Sequence, residues 1–440
     1  MNEPSFVTWP EQSVPVLGTF DVVVVGSGSA GVCAALASAR RGATTLLLEA
    51  SPVIGGTAAT GLPLLTTNDY KGRQLAFGVL QEIFDTLKRE QAFDGNLARG
   101  FYFCYDVDKY RLVVTRLLLQ AGVTIRTHTR LVGVRKSEAR LTHVMVHRKE
   151  GFGAYQGRAF VDCSGDADLA YLAGEPMLPN ECDGQMQPPT LLFFVGGVDS
   201  AAVDWSAITA LWDHLRPEKR WLNPRLGPAL SPPFAYPGKP GFHGFNVTRS
   251  LGVDATKTED LVRMEIEQRE QVDEFFHRFL KPHVLAFRDA YFAGTAFAAG
   301  VRETRRIAGD FVLHGVSIRE RAKFEDAVAW SAYPIDRHSG VKGSTDFRHE
   351  ETRLPGHYEV PFRVMVPKLT PNLLVSGRCV SADEIAFSAV RVMGTTIPLG
   401  YAAGLGAAQI AIEGVTARSI KVEVIRAILT SEGAPVDLAL

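Results

Sequence analysis

The chain has 440 residues, 46% of them apolar, and 47 Lys and Arg against 48 Asp and Glu give a formal net charge of −1. That length supports more than one core, and basic residues spread along a near-neutral chain give no footprint for nucleic acid or an anionic membrane surface. Residues 1–20 carry acids and prolines rather than a basic stretch followed by an apolar one, and no uninterrupted apolar run reaches spanning length, so a cytoplasmic protein is expected.

Residues 22–25 are four valines bounded by Asp21 and Gly26, the pattern of a central parallel strand covered on both faces. The sequence Gly26-Ser-Gly28-Ser29-Ala30-Gly31 follows and opens a helix over 29–41. Gly26 permits a tight turn, Gly28 lets the backbone approach a pyrophosphate, and Gly31 lets the helix pack closely on the strand. The free N–H groups at the helix start would hold the diphosphate of an adenine dinucleotide. A second strand, 45–49, ends in Glu49, followed by Ala50, where a carboxylate meets a ribose diol and disfavours a 2′-phosphate. Gly55-Gly56-Thr57 comes next, then a loop to about 68 and a helix over 74–91. Asp106 and Asp108 cap a helix over 109–120 that ends at Ala121-Gly122. Strands are read at 123–127, 130–136, 141–147 and 158–162, the second and third as a meander. The last leads into Cys163-Ser164-Gly165-Asp166-Ala-Asp168, a strand end of the kind that faces ligand in open α/β sheets.

Between 187 and 358 the composition shifts to Trp- and Pro-bearing apolar runs that alternate with polar loops, as in a mainly antiparallel sheet with helices on one side. A helix over 258–280 places Leu261, Met264, Val272, Phe276 and Phe279 near one face, read as a solvated amphipathic helix. From 361 the first pattern returns: a strand at 373–376, Gly377-Arg378, and a glycine-rich helix over 395–413. The fold class is therefore α/β, a Rossmann-like dinucleotide domain with a parallel sheet, interrupted by an antiparallel α+β substrate domain. Its first part is 15–186, the inserted domain 187–358, the completing part 359–420, and 421–440 a tail. Cys33, Cys104, Cys163, Cys182 and Cys379 form no CxxC pair, which argues against a disulfide framework, a metal site or a redox dithiol. Cys104 stands apart among Phe101, Tyr102, Phe103 and Tyr105.

Together these motifs resemble the FAD-dependent oxidoreductases of the two-dinucleotide-binding-domain, glutathione-reductase-like superfamily, which includes fumarate reductase flavoproteins. The resemblance runs from 21 to about 413. Besides the glycine motif, Glu49 and Gly55-Gly56, it is carried by Val161-Asp-Cys-Ser-Gly-Asp-Ala-Asp168, Val301-Arg-Glu-Thr-Arg-Arg306, Tyr333-Pro-Ile-Asp336-Arg-His338, Leu374-Val-Ser-Gly377-Arg378 and Val390-Arg391-Val-Met393-Gly394-Thr395-Thr396. Cys163-Ser164 and Arg337 depart from the usual pattern. The resemblance implies FAD, held without a covalent link that any motif identifies. Gly26, Gly28, Ser29, Ala30 and Gly31 would face the pyrophosphate, Glu49 and Ala50 the adenosine ribose, and Gly55, Gly56 and Thr57 the diphosphate and flavin side. Leu131 or Val132 would offer backbone groups to adenine, and Ser164, Gly165 and Asp166 would lie along the AMP half. Gly377, Arg378 and Asp383 would lie near the ribityl chain. The helix start at Met393, Gly394, Thr395 and Thr396 would point at flavin N1 and O2, where a positive dipole stabilises the reduced ring.

The substrate side needs groups that manage a proton and a substrate charge. Arg302, Arg305 and Arg306 form the densest basic cluster of the inserted domain; a structural ion pair with Glu303 is the competing reading. His338, with Asp336, is a candidate for proton transfer, set against a satisfied structural histidine. Arg391 competes between substrate or cofactor contact and packing. His243, in a glycine-flanked turn, and Tyr333, read as core, are weaker candidates. The expected activity is hydride transfer between a small organic substrate and flavin N5. Its electron partner is left open among oxygen, a quinone, a carrier protein and nicotinamide, and a homo-oligomer is compatible. A flavin monooxygenase, a tRNA-modifying flavoprotein and a plain NAD dehydrogenase are the rival readings.

Overall fold

The computed structural model describes residues 13–100, 102–179, 185–219, 232–338, 345–348 and 356–435; Cys182 and Phe101 lie outside them. In chain order the elements used below are β1 (Val16–Val25), α1 (Ser29–Arg40), β2 (Thr45–Leu48), α2 (Gly78–Arg89), α3 (Val107–Gln120), β3 (Thr124–Arg126), β4 (Arg130–Ser137), β5 (Arg140–Arg148) and β6 (Gly151–Asp162). Then come β7 (Phe193–Gly196), α4 (Trp205–Lys219), β8 (Phe234–Ala235), β9 (His243–Phe245), α5 (Thr258–Asp273), β10 (Tyr291–Thr295), β11 (Ala327–Ser331), β12 (Ile335–His338) and β13 (Tyr358–Pro361). The chain closes with β14 (Leu373–Val375), α6 (Glu384–Val390), α7 (Met393–Glu413) and α8 (Val422–Ser431).

The main sheet runs β3-β2-β1-β6-β5-β4, with β14 also on β6. The pairs β1/β2, β2/β3, β1/β6 and β6/β14 are parallel, and β4, β5 and β6 form an antiparallel meander. β6 is the hinge of this design. Its first half pairs with β5 and its second half with β14, so one strand of 12 residues serves both an antiparallel and a parallel neighbour. The sequence pattern marked only 158–162 as strand because Gly151, Gly153 and Gly157 break the apolar run.

Helices α1 and α7 lie back to back on this sheet, and glycine sets their distance. A Cβ on Gly400 would sit 2.2 Å from the Ala30 carbonyl oxygen, and one on Gly404 2.2 Å from that of Ala34. No larger residue fits at that spacing, so the run of Ala and Gly along both helices is a packing requirement. α8 docks Ile425 and Leu429 into the same core, which makes a packed helix of half of the expected tail. β11 and β13 pair with each other and share this core too.

The second core belongs to a four-stranded antiparallel sheet, β8-β9-β7-β10. The α5 helix continues as a π-helix, Glu274–Leu280, and together they bury Met264, Val272, Phe275, Phe276 and Phe279. Phe275 and Phe279 lie 5.0 and 4.9 Å from the Trp212 ring. The helix is amphipathic, as read: its apolar side enters this core, while its charged side, with Glu259, Arg263, Arg269 and Glu270, is exposed. Val272, Phe275, Phe276 and Phe279 stand at i, i+3, i+4 and i+7, the spacing of one helical face, and all four stay inside through the π segment. Among the described residues, no helix is long and apolar enough to cross a membrane.

Candidate functional site

At the carboxyl edge of the parallel sheet, β1 ends at Val25 and the chain turns through Gly26, whose φ is +93°. The turn is pinned on both sides, by Gly26 N–H to the Leu48 carbonyl (2.8 Å) and Cys163 N–H to the Val25 carbonyl (2.7 Å). A Cβ on Gly31 would fall 1.9 Å from the Gly26 oxygen, whereas one on Gly28 would meet nothing within 4 Å. These glycines thus do different work: Gly31 permits packing, and Gly28 faces open space at the start of α1. Gly28 is the N-cap of α1 and supplies no side-chain cap to the helix that Ser29 and Ala30 begin. Uncapped N–H groups beside an open approach are what a diphosphate requires.

The second glycine pair is folded onto the first. Gly55 N–H donates to the Ser27 carbonyl (2.8 Å), and a Cβ on Gly56 would lie 2.6 Å from the Gly28 Cα. Thr57 follows in the short turn Gly56–Thr60. Glu49 accepts from Ser27 N–H (2.9 Å), Ser27 Oγ–H (2.8 Å) and Ser51 N–H (2.8 Å), so its carboxylate is fixed at the mouth of the cradle beside Ala50. Thr129 N–H donates to the Glu49 carbonyl (2.9 Å), which brings the start of β4, with Leu131 and Val132, alongside. Opposite, Ser164 Oγ donates to Asp162 (2.7 Å), and burial raises the Asp162 carboxyl to about 6 despite that bond. Gly165, at φ +82°, lies against Arg378, which donates to the Val301 carbonyl (2.6 Å) and pairs with Asp166 at 3.3 Å. Gly377, also at positive φ, approaches Ala30. Asp383 is differently employed: it caps α6 through Ala386 N–H (2.8 Å) and accepts from Gly315 N–H.

At the start of α7, Met393 and Thr396 are buried, and Gly394 packs so closely that a Cβ would be 2.3 Å from the Leu65 and Thr66 carbonyl oxygens. Thr66 holds a left-handed backbone, φ +63°, costly for a β-branched residue. The hydroxyls of Thr66, Ser376 and Thr395 are buried and without a hydrogen-bond partner. Such groups are costly unless a ligand satisfies them. The open face at Gly28, the uncapped α1 and these three hydroxyls together fit a dinucleotide that carries a polar ring system. Thr66 and Ser376 were missed in the sequence; neither has a spacing that marks it.

Beyond the start of α7 lies a cluster drawn from four distant segments. Arg391 donates from Nη2 to the Asp336 carbonyl (2.9 Å) and carboxylate (3.2 Å). The Tyr333 hydroxyl donates to the same carboxylate at 2.8 Å, and His338 Nε2 lies 3.1 Å from its other oxygen. Arg249 Nη2 stands 3.0 Å from His338 Nδ1. A guanidinium only donates, so Nδ1 accepts and the proton sits on Nε2, facing Asp336. Burial, with Arg302 and Arg391 nearby, draws His338 down to about 3 even though Asp336 opposes the change; the imidazole is neutral at pH 7. Burial alone would raise Asp336, but His338, Arg391 and Tyr333 outweigh it and hold the carboxyl below its usual range. Arg302 keeps part of its surface open and donates to the Pro188 carbonyl (2.6 Å) and Thr190 Oγ1 (2.7 Å). Desolvation and the charges of Arg249 and Arg391 draw it down to about 9. Among the described residues, three guanidinium groups thus share the influence of the Asp336 carboxylate.

The basic run of the sequence is divided three ways by the fold. Arg302 joins the cluster; Arg305 pairs with Asp168 (2.9 Å) and lies 4.5 Å over the Tyr171 ring; Arg306 is buried on Glu303 (3.3 Å) and the Ala382 carbonyl (2.7 Å). Arg305 and Arg306 are thereby committed to structural partners. His243 is a buried strand residue that meets Ser200 Oγ at 2.8 Å, not a turn. Arg249 had no signal in sequence, since it stands alone in an apolar stretch and only tertiary folding brings it to His338.

A family model described as FAD dependent oxidoreductase matches residues 21–429. The chain belongs to that family; it is an enzyme, and FAD is its cofactor. Curated relatives align over short segments. A fumarate reductase (cytochrome) of Shewanella frigidimarina is 41% identical over 76 residues, 17% of this chain and 13% of that protein. A 3-oxosteroid 1-dehydrogenase of Mycobacterium tuberculosis is 58% identical over 40 residues, 9% and 7% respectively. A tRNA uridine 5-carboxymethylaminomethyl modification enzyme of Wolinella succinogenes is 35% identical over 114 residues, 23% and 17%. The matched segments therefore span less than a quarter of each of these relatives. Among solved structures, a geranylgeranyl bacteriochlorophyll reductase-like protein of Thermoplasma acidophilum aligns with 95% of this chain and 81% of its own at 14% identity and a TM-score of 0.44. A flavin-dependent brominase aligns with 91% and 81% at 13% identity and a TM-score of 0.46.

Proposed function

We propose that the enzyme transfers hydride between a small organic anion, of carboxylate type, and N5 of FAD. The observation that carries this reading is the gathering of positive charge at the cluster: among the described residues, Arg249, Arg302 and Arg391 stand around the carboxylate of Asp336. Clustered guanidinium groups repel one another, and an arriving carboxylate relieves that repulsion while its two oxygens take paired N–H donors. Bound FAD supplies the two-electron chemistry. The protein's own groups then divide the remaining work. Arg302 and Arg391, both partly open, hold the substrate anion, while Arg249 is tied to His338. His338 has a donor on one nitrogen and a carboxylate on the other, so it orients Arg249 and Asp336 instead of accepting a proton. Arg302, drawn lower than Arg249, is the group placed to exchange a proton with substrate.

The test is an anaerobic titration of the yellow holoenzyme with matched pairs: hydroxy acids against the corresponding alcohols and amides, and, with reduced enzyme, unsaturated acids against their amides. Acids are expected to change the flavin oxidation state and neutral partners to fail. Equal rates for both members of a pair would overturn the reading.

A further inference from the structure

The aromatic run noted around Cys104 takes no part in the redox site, yet it lines a separate cleft of about 430 Å³. That volume is in the range of a small-molecule site. One wall is Phe93, Tyr102 and Phe103 from the first unit, and the other is Tyr236 from the second. Phe93, Phe103 and Tyr236 are buried, while Tyr102 is 47% exposed and stands 5.3 Å from the Phe234 ring. Tyr236 is held from behind, because its hydroxyl donates to the Gly61 carbonyl at 2.6 Å. The cleft is therefore built from rings whose positions are already fixed.

Its charge is as specific as its shape. Lys239 is the ammonium on the lining, and it is engaged: Nζ lies 3.0 Å from Asp106 and 3.7 Å from Asp108, which Arg111 also meets at 3.1 Å. Asp94 lines the same cleft, is exposed, and makes no ion pair among the described residues. Aromatic faces attract cations through their quadrupole, and a carboxylate at the rim adds a direct charge partner. We propose that this cleft binds an aromatic organic monocation, an arylalkylammonium, with its ring between Tyr102 and Tyr236 and its ammonium at Asp94. This preference is opposite in sign to that of the arginine cluster, so the two sites select different molecules.

Calorimetric titration of the holoenzyme with tryptamine, 3-ethylindole and indole-3-propionate tests it, since the three share a ring and differ in charge. Tryptamine is expected to bind about fivefold more tightly than 3-ethylindole, the upper range for an exposed ion pair, with indole-3-propionate excluded from the cleft. D94N should erase the gap between tryptamine and 3-ethylindole. A235W, at an exposed lining position, should fill the cleft and abolish binding of both, and Y102A should weaken both if A235W does not fold. Failure of tryptamine to bind, a preference for it that survives D94N, or binding that survives the plugged cleft would overturn the proposal. None of these variants touches the arginine cluster, so acid-dependent flavin reduction reports separately on the proposed reaction.

Discussion

Alanine at Gly28 and at Gly31 should have opposite consequences, although the two glycines belong to one motif. At Gly31 the new Cβ would begin 1.9 Å from the Gly26 carbonyl oxygen and 3.1 Å from the Cys163 Cβ. Non-bonded atoms settle near about 3.5 Å, so α1 must retreat by on the order of 1.5 Å inside a packed layer. Overpacking of that kind costs about 1–3 kcal/mol or more, against roughly 0.5–1 kcal/mol gained by replacing glycine within a helix. A net loss of about 2 kcal/mol, at the upper end of that range, should lower the melting temperature of the FAD-free protein by about 2 °C. At Gly28 the backbone is extended, φ −64° and ψ −176°, which alanine adopts freely, and the Cβ meets nothing within 4 Å. G28A should therefore melt close to wild type without FAD, yet bind FAD at least about tenfold more weakly, roughly 1.4 kcal/mol, because its methyl group occupies the diphosphate approach. Scanning calorimetry of the FAD-free protein and quenching of flavin fluorescence on binding measure the two effects. FAD affinity of G28A within twofold of wild type, or wild-type melting of G31A, would refute the division of roles.

Other outcomes follow from the same geometry. F275A should cost about 3–5 kcal/mol by leaving a cavity against Trp212, measurable by denaturant unfolding; a loss under 1 kcal/mol would show that the π-helical segment is not core. His338 is drawn down to about 3 in the fold, so the unfolded chain takes up its proton first, and stability should rise with pH between about 3 and 6.5 by up to about 1.4 kcal/mol per unit. H338N should flatten that slope, and an unchanged slope would contradict the burial of a neutral imidazole. With Arg302 drawn down to about 9, turnover should fall above that pH, and R302K should move the limb; a flat profile to pH 10 would remove Arg302 from proton exchange. G404L should separate α1 from α7 and prevent stable folding, read as loss of the cooperative melt.

The cofactor side was legible because its parts are local: Gly26, Gly28, Gly31 and Glu49 lie within a single strand–helix–strand unit, and backbone geometry dictates each glycine. The substrate side was legible only in pieces. Arg302, His338 and Arg391 stood out in sequence, but Arg249, which fixes the His338 tautomer, lies 89 residues from it and has no periodic neighbour. Sequence proximity also misled, since Arg302, Arg305 and Arg306 share one short segment outside helix and strand that sends them to separate partners. The orphaned hydroxyls of Thr66 and Ser376 could emerge only from packing, because an unmet hydrogen bond is a property of surroundings and not of residue type.

A difference-spectrum titration of the oxidised holoenzyme with malonate and with malonamide tests most directly whether an anion site adjoins the flavin. Malonate should perturb the flavin bands saturably, malonamide should not, and R302Q and R391Q should each weaken the malonate response at least about tenfold. An equal response to malonamide, or a malonate response indifferent to both substitutions, would contradict the account.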